Sequence, residues 1–353
     1  MAHQSLYRIH RPATFAEVVG QEQVTKPLAE AAKSKSIGHA YLFAGSRGLG
    51  KTSVARIFAG AIGCTEHDLY EMDAASNNSV EDIRALTEGV YTLPFASPYK
   101  VYIMDEAHML SKSAWNAFLK TLEEPPAHAV FILATTELQK VPETVQSRCQ
   151  VFEFKKPTRA VLASMTTAVA KKEGYTLAPD AAELIAFLAE SSYRDALSVL
   201  QKVFASSPNK KLSREEVEQA TGAPRREQVH ALIHALAAGE CGKALVAIEQ
   251  AAKADVDMRL FLELVLEALR ATLLIRYAPE LCTPLAEELG ADEFSALEKF
   301  SKDTSTSLSA GKGITHATML AFLTAAERIR YAPIPALPLE LAVLELFPDE
   351  SQK

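Results

Sequence analysis

The sequence predicts an α/β domain, with a parallel sheet flanked by helices, followed by two all-α domains. Apolar, strand-like runs alternate with helical stretches between residues 39 and 154, which is typical of a parallel sheet covered on both faces. Beyond Pro157 the strand-like runs stop, and apolar residues recur at helical spacing as far as Phe347. A chain of 353 residues is also too long for one ordinary core. We therefore expect domains at 1–156, 157–222 and 223–353.

Composition indicates an ordinary cytoplasmic globular protein, with 48% hydrophobic and 23% charged residues. No apolar stretch approaches the roughly 20 residues of a membrane helix, and the N-terminus lacks the apolar region of a signal peptide. We therefore expect no membrane partner. Cys64, Cys149, Cys241 and Cys282 are scattered without a Cys-x-x-Cys pair, which favours buried reduced thiols over disulfides or a zinc site.

The net charge argues against a protein that coats nucleic acid indiscriminately. The net charge is −7, whereas non-specific affinity for DNA depends on neutralising phosphates. Residues 1–60 nevertheless carry eight Lys and Arg against three Glu. A local basic surface in this part of the chain therefore remains compatible with the composition.

The segment from Gly45 to Thr52 matches the phosphate-binding pattern G-x-x-x-x-G-K-[ST]. A buried strand is predicted before it and a helix after it, so that loop N–H groups and the positive end of the helix would face the phosphates. Lys51 would reach the β- and γ-phosphates, and the Thr52 hydroxyl would bind Mg²⁺. The residues expected to contact the nucleotide phosphates are Gly45, Ser46, Gly48, Leu49, Gly50, Lys51, Thr52 and Ser53.

Residues ahead of this loop suit a purine pocket. Tyr7, Arg11 and Val19 offer the flat surfaces and hydrogen-bonding groups that a purine needs, although an N-terminal arm packed on the core fits these residues equally well. A helix is predicted from Gln21 to Ser34, and Pro27 either kinks it or marks its start.

A second chemical signature is the apolar strand that ends in Asp105 and Glu106. Ligands of α/β sheets bind at the carboxyl ends of strands. Asp105 would hold Mg²⁺ and Glu106 would orient the attacking water. A solvated acidic turn is the alternative, but a phosphate loop upstream makes it the weaker interpretation. The string Asp-Glu-Ala-His also matches a helicase box, and we interpret His108 as a chance match because no second motor domain is evident.

Further elements follow in order along the chain. Ser79 and Asp82 are spaced as a helix cap. The helix from Ser111 to Leu122 carries Trp115 on its apolar side, which favours a core position. A buried strand then ends in Thr135 and Thr136, where a hydroxyl would sense the γ-phosphate.

The predicted lid contains helices at 158–172, 179–190 and 194–205, and a short helix follows at 214–221. Arg194 heads the third helix, an unfavourable place for a cation, which indicates that it serves an anion such as the γ-phosphate. A salt bridge to Asp195 or Glu190 is the alternative.

Taken together, the phosphate loop, the Asp105–Glu106 strand and the helical lid with Arg194 resemble the AAA+ ATPases. Specific strings, including Lys-Thr-Leu-Glu-Glu-Pro-Pro at 120–126, resemble the bacterial DNA polymerase III gamma/tau family over nearly the whole chain. The other segments that carry this resemblance are 7–21, 39–43, 73–76, 147–149, 193–198 and 330–341.

The resemblance implies the ATPase motor of a sliding-clamp loader, without a polymerase active site of its own. It implies ATP and Mg²⁺ as ligands, Arg148 as an arginine finger for the neighbouring subunit, Arg194 as the lid sensor and Thr136 as the strand-tip sensor. The residues implied to line the adenine pocket are Tyr7, Arg11, Pro12 and Val19. The implied partners are delta- and delta-prime-type subunits, further copies of this chain, the sliding clamp, and primer–template DNA held through its phosphates. The domain at 223–353 would be the oligomerising collar.

The sequence departs from the family in two places. Many relatives insert a zinc module after the cysteine that matches Cys64, but here the chain runs almost directly to the next strand, so we expect no zinc. The chain ends at Lys353, so we expect the shorter, gamma-like form unless it is truncated.

Three other interpretations stay open. They are an archaeal or eukaryotic clamp-loader small subunit, a non-hydrolysing scaffold subunit of the same complex, and a DNA-unwinding motor. The residues at 120–126 and 74–76 favour the bacterial group. Lys51, Thr52, Asp105 and Glu106 argue against a scaffold.

Overall fold

The computed structural model describes residues 5–207, 209–254, 256–289, 291–303 and 313–347. The described residues do not include 1–4 and 348–353. The expectations about a signal peptide and about the chain's end concern these two segments. The chain divides into two units. One comprises Met1–Val169 with Ala186–Gln201, and the other comprises Ala170–Ile185 with Lys202–Lys353.

A five-stranded parallel sheet forms the centre of the first unit, in the order β2-β3-β4-β1-β5. Its strands are β1 (Ala40–Ala44), β2 (Leu69–Asp73), β3 (Lys100–Asp105), β4 (Ala129–Thr135) and β5 (Gln150–Glu153). Every residue of β1 and β4 is buried, as expected for strands covered on both faces. The predicted α/β class is confirmed. Because β3, β4 and β1 are neighbours, the segments that follow them emerge side by side at one edge.

Two hydrophobic cores cover the two faces of this sheet. Successive residues of β1 point in opposite directions, so Tyr41 and Phe43 enter one core and Leu42 enters the other. Phe58 belongs to the first core, and Phe118 to the second. The α-helices up to β5 are α1 (Leu6–Ile9), α2 (Glu22–Ser34), α3 (Lys51–Ala61), α4 (Val80–Val90), α5 (Lys112–Glu123) and α6 (Glu143–Gln146).

Local signals in this unit are mostly confirmed. Ser79 caps α4 by accepting a hydrogen bond from the Asp82 N–H, and Trp115 is a core residue with 3% exposure. α2 begins at Glu22 with Pro27 inside it, so the alternative that Pro27 starts this helix is wrong.

The segment predicted as the lid contains α7 (Arg159–Lys172), α8 (Pro179–Leu188) and α9 (Tyr193–Ser206), and α10 (Arg214–Thr221) follows. The expectation that strands stop after β5 is wrong. Two short strands, β6 (Thr176–Leu177) and β7 (Lys211–Leu212), pair in parallel in the second unit. Leu177 and Leu212 are buried there, but two residues are too few to give a strand periodicity in the sequence.

The remainder of the second unit is helical, as predicted. A hydrophobic cluster draws on Leu232, Ile248, Phe261, Leu269 and Phe322 among others. The helices are α11 (Arg226–Ala238), α12 (Cys241–Lys253), α13 (Met258–Tyr277), α14 (Cys282–Leu289), α15 (Ala291–Asp303), α16 (His316–Arg328) and α17 (Leu337–Leu346).

All four cysteines are free, as expected, but each is only partly buried, which corrects the expectation of buried thiols. Cys64 follows the end of α3, Cys149 precedes β5, and Cys241 and Cys282 begin helices, and each packs at the margin of a hydrophobic cluster. Among the described residues, no helix combines the length and apolar character needed to cross a membrane.

Candidate functional site

The phosphate loop lies between β1 and α3, as its sequence predicts. Gly48 has a φ of +77° and Gly50 a φ of +92°, a left-handed backbone that glycine adopts without strain. α3 begins at Lys51, and the first N–H groups of a helix have no partner within it. The loop therefore presents backbone donors at the carboxyl edge of the sheet.

The Lys51 side chain is folded into this loop. It is 5% exposed, and its Nζ donates to the carbonyl oxygens of Gly45 at 2.7 Å and Ser46 at 2.9 Å. Burial lowers the pKa of Lys51, while the carboxylates of Glu106 and Asp105 act in the opposite direction. The ammonium is thus held near the loop with two acidic groups close enough to favour its charge.

Thr52 and Asp105 meet at the end of β3. The Thr52 Oγ1 donates a 2.7 Å hydrogen bond to Asp105 Oδ2. A hydroxyl and a carboxylate oxygen are hard ligands of the kind Mg²⁺ prefers. In the part of the chain that the structure describes, no group of three or more His, Cys, Asp or Glu side chains could hold a metal ion. The Thr52 hydroxyl and the Asp105 carboxylate supply two oxygen ligands of this kind.

Glu106 occupies the first position after β3 with a φ of +48°, an uncommon conformation for a residue with a side chain. Thr136 follows β4, and its Oγ1 donates to Glu106 Oε2 at 3.0 Å. The adjacent strands β3 and β4 thus bring together the predicted water-orienting acid and the predicted strand-tip sensor. Glu106 keeps 30% of its side chain exposed, so water reaches the carboxylate.

One predicted purine-pocket residue, Arg11, is joined to the start of α3 by a side-chain contact. Arg11 Nε donates to Ser53 Oγ at 2.9 Å, which fixes the N-terminal segment against α3. Burial lowers the pKa of Arg11, as does the charge of Arg56. Val19 is 44% exposed, so one apolar wall faces solvent.

Arg194 lies against Tyr7. The Arg194 guanidinium carbon is 4.6 Å from the centre of the Tyr7 ring, and Arg194 Nη2 is 3.4 Å from the Tyr7 hydroxyl. Hydrogen bonds from Ser5, Arg8 and Arg194 lower the pKa of Tyr7 to about 8. The alternative of a salt bridge from Arg194 to Asp195 or Glu190 finds no support in the ion pairs of the described residues.

The start of α9 is hydrogen-bonded to the phosphate loop. The Tyr193 N–H donates to the Gly48 carbonyl at 3.1 Å, and the Tyr193 hydroxyl donates to the Val19 carbonyl at 2.7 Å. A Cβ added at Gly48 would lie only 2.0 Å from Ser192 Oγ. Arg194 is therefore held beside the predicted nucleotide site by its two preceding residues, whose roles the sequence did not reveal.

Arg148 lies apart from this group. It precedes β5, whose first residue Gln150 pairs with Tyr41 at the amino end of β1, whereas the phosphate loop follows the carboxyl end of β1. Its guanidinium donates to Glu123 Oε1 at 2.6 Å and to the Thr144 carbonyl at 2.7 Å. The structure thus brings the other predicted catalytic residues to the carboxyl ends of the parallel strands. Arg148 lies at the amino ends of the strands.

His108 is a residue that sequence reasoning set aside. Its side chain is 7% exposed and contacts Thr135, Glu106 and Glu137. The helicase-box string drew attention to this residue for another reason. A histidine two positions after a strand-end acid was the only available signal for its place in the site.

Family models match most of the chain. The model described as "DNA polymerase III, delta subunit" matches residues 20–79 and 67–158. The model described as "DNA polymerase III subunits gamma and tau domain III" matches residues 212–352.

Curated relatives carry related names. DNA polymerase III subunit tau of Bacillus subtilis is 40% identical over 315 residues, which is 83% of this chain and 55% of the relative. DNA polymerase III subunit tau of Escherichia coli is 37% identical over 300 residues, which is 79% of this chain and 46% of the relative. The chain thus spans about half the length of these curated relatives.

A solved structure of similar fold is the Thermotoga maritima RuvB Holliday junction branch migration motor. It has a TM-score of 0.52 and 21% identity, and the match covers 82% of this chain and 89% of that one. At this identity the likeness bears on the fold alone, and it agrees with the predicted α/β fold of a parallel sheet flanked by helices.

Proposed function

Because the chain belongs to the DNA polymerase III gamma/tau family, we propose that it is the ATPase motor of a bacterial clamp loader, which places a sliding clamp on primed DNA. The observation that carries this proposal is the set of side chains at one edge of the sheet. Lys51 lies in the phosphate loop, Thr52 is bonded to Asp105, and Glu106 is bonded to Thr136. These are the groups needed to bind and cleave a nucleoside triphosphate.

Binding begins with the loop and Lys51. The Lys51 ammonium exchanges the Gly45 and Ser46 carbonyls for the β- and γ-phosphates, which are stronger partners for a buried cation. The N–H groups at the start of α3 contact the same phosphates. Tyr7, Arg11, Pro12 and Val19 enclose the adenine.

Thr52 and Asp105 would hold Mg²⁺, since their oxygens already lie 2.7 Å apart. When bound, the ion neutralises charge on the β- and γ-phosphates. Mg²⁺ takes only one or two protein ligands beside phosphate and water, and the Thr52 hydroxyl and the Asp105 carboxylate would be those ligands.

Glu106 orients the attacking water and accepts its proton, and Thr136 fixes the carboxylate through its hydroxyl. Arg194 senses the γ-phosphate from the lid. Its contact with Tyr7 keeps the guanidinium beside the adenine pocket until a phosphate offers a better partner.

Arg148 acts on the ATP of a neighbouring subunit. This role is supported by its position at the opposite edge of the sheet from the phosphate loop of its own chain. An arginine supplied by a neighbour is worth roughly 10³–10⁵ in rate, so hydrolysis depends on correct packing between subunits. Glu123 holds the Arg148 guanidinium at the surface, where 34% of the side chain is exposed.

The domains divide this work at the predicted bounds. Residues 1–156 bind ATP, 157–222 form the lid, and 223–353 form the collar that joins subunits. A hydrophobic cluster built entirely from residues between Val229 and Phe347 supports an independent collar. The proposed partners are delta- and delta-prime-type subunits, other copies of this chain, the sliding clamp and primer–template DNA.

A non-hydrolysing scaffold is the alternative that the match to the delta-subunit model raises. A scaffold has no need of the buried lysine, the Thr52–Asp105 pair or the Glu106–Thr136 pair, all of which this chain retains. The hydrolytic role therefore accounts for more of the site.

The test is ATP turnover by the reconstituted complex, with and without clamp and primed DNA. Turnover stimulated by both is expected, and Lys51→Ala should abolish it. Arg148→Ala should leave ATP affinity within about twofold and lower stimulated turnover by about 10³-fold or more.

The matched control is Arg259→Ala, which removes an exposed arginine of the second unit that is ion-paired to Glu263. It should leave turnover unchanged. A wild-type complex that never hydrolyses ATP would refute the motor, and an equal loss of ATP binding in Arg148→Ala would refute the role of that arginine in a neighbouring site.

A further inference from the structure

His108 is buried against the acid that the proposed mechanism uses. It lies in the 3₁₀ turn Ala107–Met109 directly after Glu106, and its side chain is 7% exposed. Its Nδ1 is 3.1 Å from Thr135 Oγ1 and 3.5 Å from Glu106 Oε2. Buried side-chain nitrogens normally have polar partners, so the groups that face the two His108 nitrogens indicate what this side chain does.

The two ring nitrogens face different partners. Nδ1 faces the Glu106 side of the site, whereas Nε2 lies 3.4 Å from Glu137 Oε1. Glu137 is itself held, because Lys140 donates to its Oε1 at 2.7 Å. That hydrogen bond, together with the charges of Lys140 and His108, lowers the pKa of Glu137. A carboxylate fixed by Lys140 therefore lies beside the far edge of the imidazole.

Thr135 is also held in place by a hydrogen bond and by burial. Its Oγ1 accepts a 3.0 Å hydrogen bond from the Glu137 N–H, and Thr135 is fully buried at the end of β4. The group that Nδ1 contacts is consequently fixed by the sheet, and the ring has contacts on both edges that oppose rotation.

Glu106 needs such support. A glutamate side chain loses up to about 2 kcal/mol of conformational entropy when it is confined to one rotamer. Its backbone is fixed in the left-handed region at φ +48°, but its side chain is 30% exposed. Thr136 contacts Oε2 from one side and His108 approaches the same oxygen from another.

We propose that His108 is a positioning residue, whose Nδ1 edge holds the Glu106 carboxylate at the tip of β4 in the orientation that activates water. This inference rests on the proposed ATPase function and extends it by one residue. Misplacing a catalytic group by about 1 Å costs about 100-fold in rate, which sets the scale of the effect. The nucleotide contacts themselves do not involve His108, so binding should be spared.

Three substitutions separate the two edges of the ring. An asparagine amide lies near the position of Nδ1, a glutamine amide lies near that of Nε2, and alanine removes both. The matched control is His128→Asn. His128 is a half-buried histidine that precedes the amino end of β4, the opposite end of that strand from Thr135, where its Nε2 is 3.0 Å from the Val90 carbonyl.

The experiment measures kcat and KM for ATP in the reconstituted complex with clamp and primed DNA, and the affinity of each variant for a fluorescent ATP analogue. His108→Ala and His108→Gln should lower kcat by about 10- to 100-fold while KM and affinity stay within about twofold. His108→Asn should keep most of the wild-type kcat, and His128→Asn all of it. Thermal unfolding of each variant, followed by the fluorescence of the buried Trp115, compares their folding.

An unchanged kcat in His108→Ala would overturn the inference, and so would an equal loss of kcat in His108→Asn and His108→Gln if the two variants are equally stable. In either case, turnover by the wild-type complex would leave the proposed function intact. A loss that appears in KM and affinity rather than in kcat would also overturn it. A wild-type complex without turnover would remove the proposed function first, and this inference with it.

Discussion

Replacing Gly48 with alanine tests how tightly the phosphate loop packs against the start of α9. Gly48 has a φ of +77°, and an added Cβ would lie 2.0 Å from Ser192 Oγ and 3.1 Å from Ser192 Cβ. A left-handed backbone costs an L-residue about 1–2 kcal/mol, and overpacking costs about 1–3 kcal/mol more. We therefore expect Gly48→Ala to lower the free energy of unfolding of the first unit by about 2–5 kcal/mol.

Gly50→Ala is the matched control for the backbone contribution. Gly50 has a φ of +92°, but nothing lies within 4 Å of an added Cβ. This variant should therefore cost only about 1–2 kcal/mol. Ser192→Gly completes the comparison, because it removes the two atoms nearest to the new methyl group and leaves Arg194 Cβ as the nearest, at an ordinary contact distance of 3.4 Å. In the Gly48→Ala background it should recover about 1–3 kcal/mol, after subtraction of its own cost measured alone.

The assay is urea unfolding followed by the fluorescence of Trp115, the chain's one tryptophan, which is 3% exposed in the core of the first unit. If Gly48→Ala destabilises no more than Gly50→Ala, the close contact with Ser192 is not felt in solution. If Ser192→Gly recovers nothing, the cost of Gly48→Ala comes from another source, and the account of how α9 is fastened to the loop fails.

Two further substitutions test charges of the first unit. Burial alone would raise the pKa of Asp68, but hydrogen bonds from the N–H groups of Ala96, Phe95 and Ser97 and from the Ser97 hydroxyl hold it at about 2. Because that value lies below the ordinary 3.8, the stabilisation is complete above about pH 4 and is lost as the pH falls through 2. Asp68→Asn should flatten this pH dependence in Trp115-monitored unfolding, and an unchanged acid transition would contradict it. Glu123→Gln breaks the half-exposed pair with Arg148, so it should change stability by less than about 1 kcal/mol, and ATP turnover by the reconstituted complex should not fall. A fall as large as that of Arg148→Ala would show that Glu123 itself is needed.

The parts of the fold and site that the sequence predicts are those set by long local patterns. Runs of four or more apolar residues identified β1, β3 and β4, and a strand followed by glycines and a lysine identified the phosphate loop. Parallel strands align their carboxyl ends, so Thr52, Asp105 and Thr136 were expected near one another before any contact was known. The two-residue strands β6 and β7 lack such a pattern, and their pairing joins residues 35 positions apart, Thr176 with Lys211 and Leu177 with Leu212.

The contacts that the sequence did not reveal are those between a strand end and a side chain from outside that strand. His108 belongs to the site because a 3₁₀ turn directs its ring toward Thr135 and Glu137, which lie 27 and 29 positions further along the chain. Ser192 and Tyr193 belong to it because α9 returns to the loop that follows β1, and neither residue type signals that return. Periodicity describes which face of an element is buried, whereas these contacts depend on the path of the chain between elements. The residues proposed to carry the chemistry were therefore accessible from the sequence, while those proposed to hold them in place became visible only through tertiary contacts.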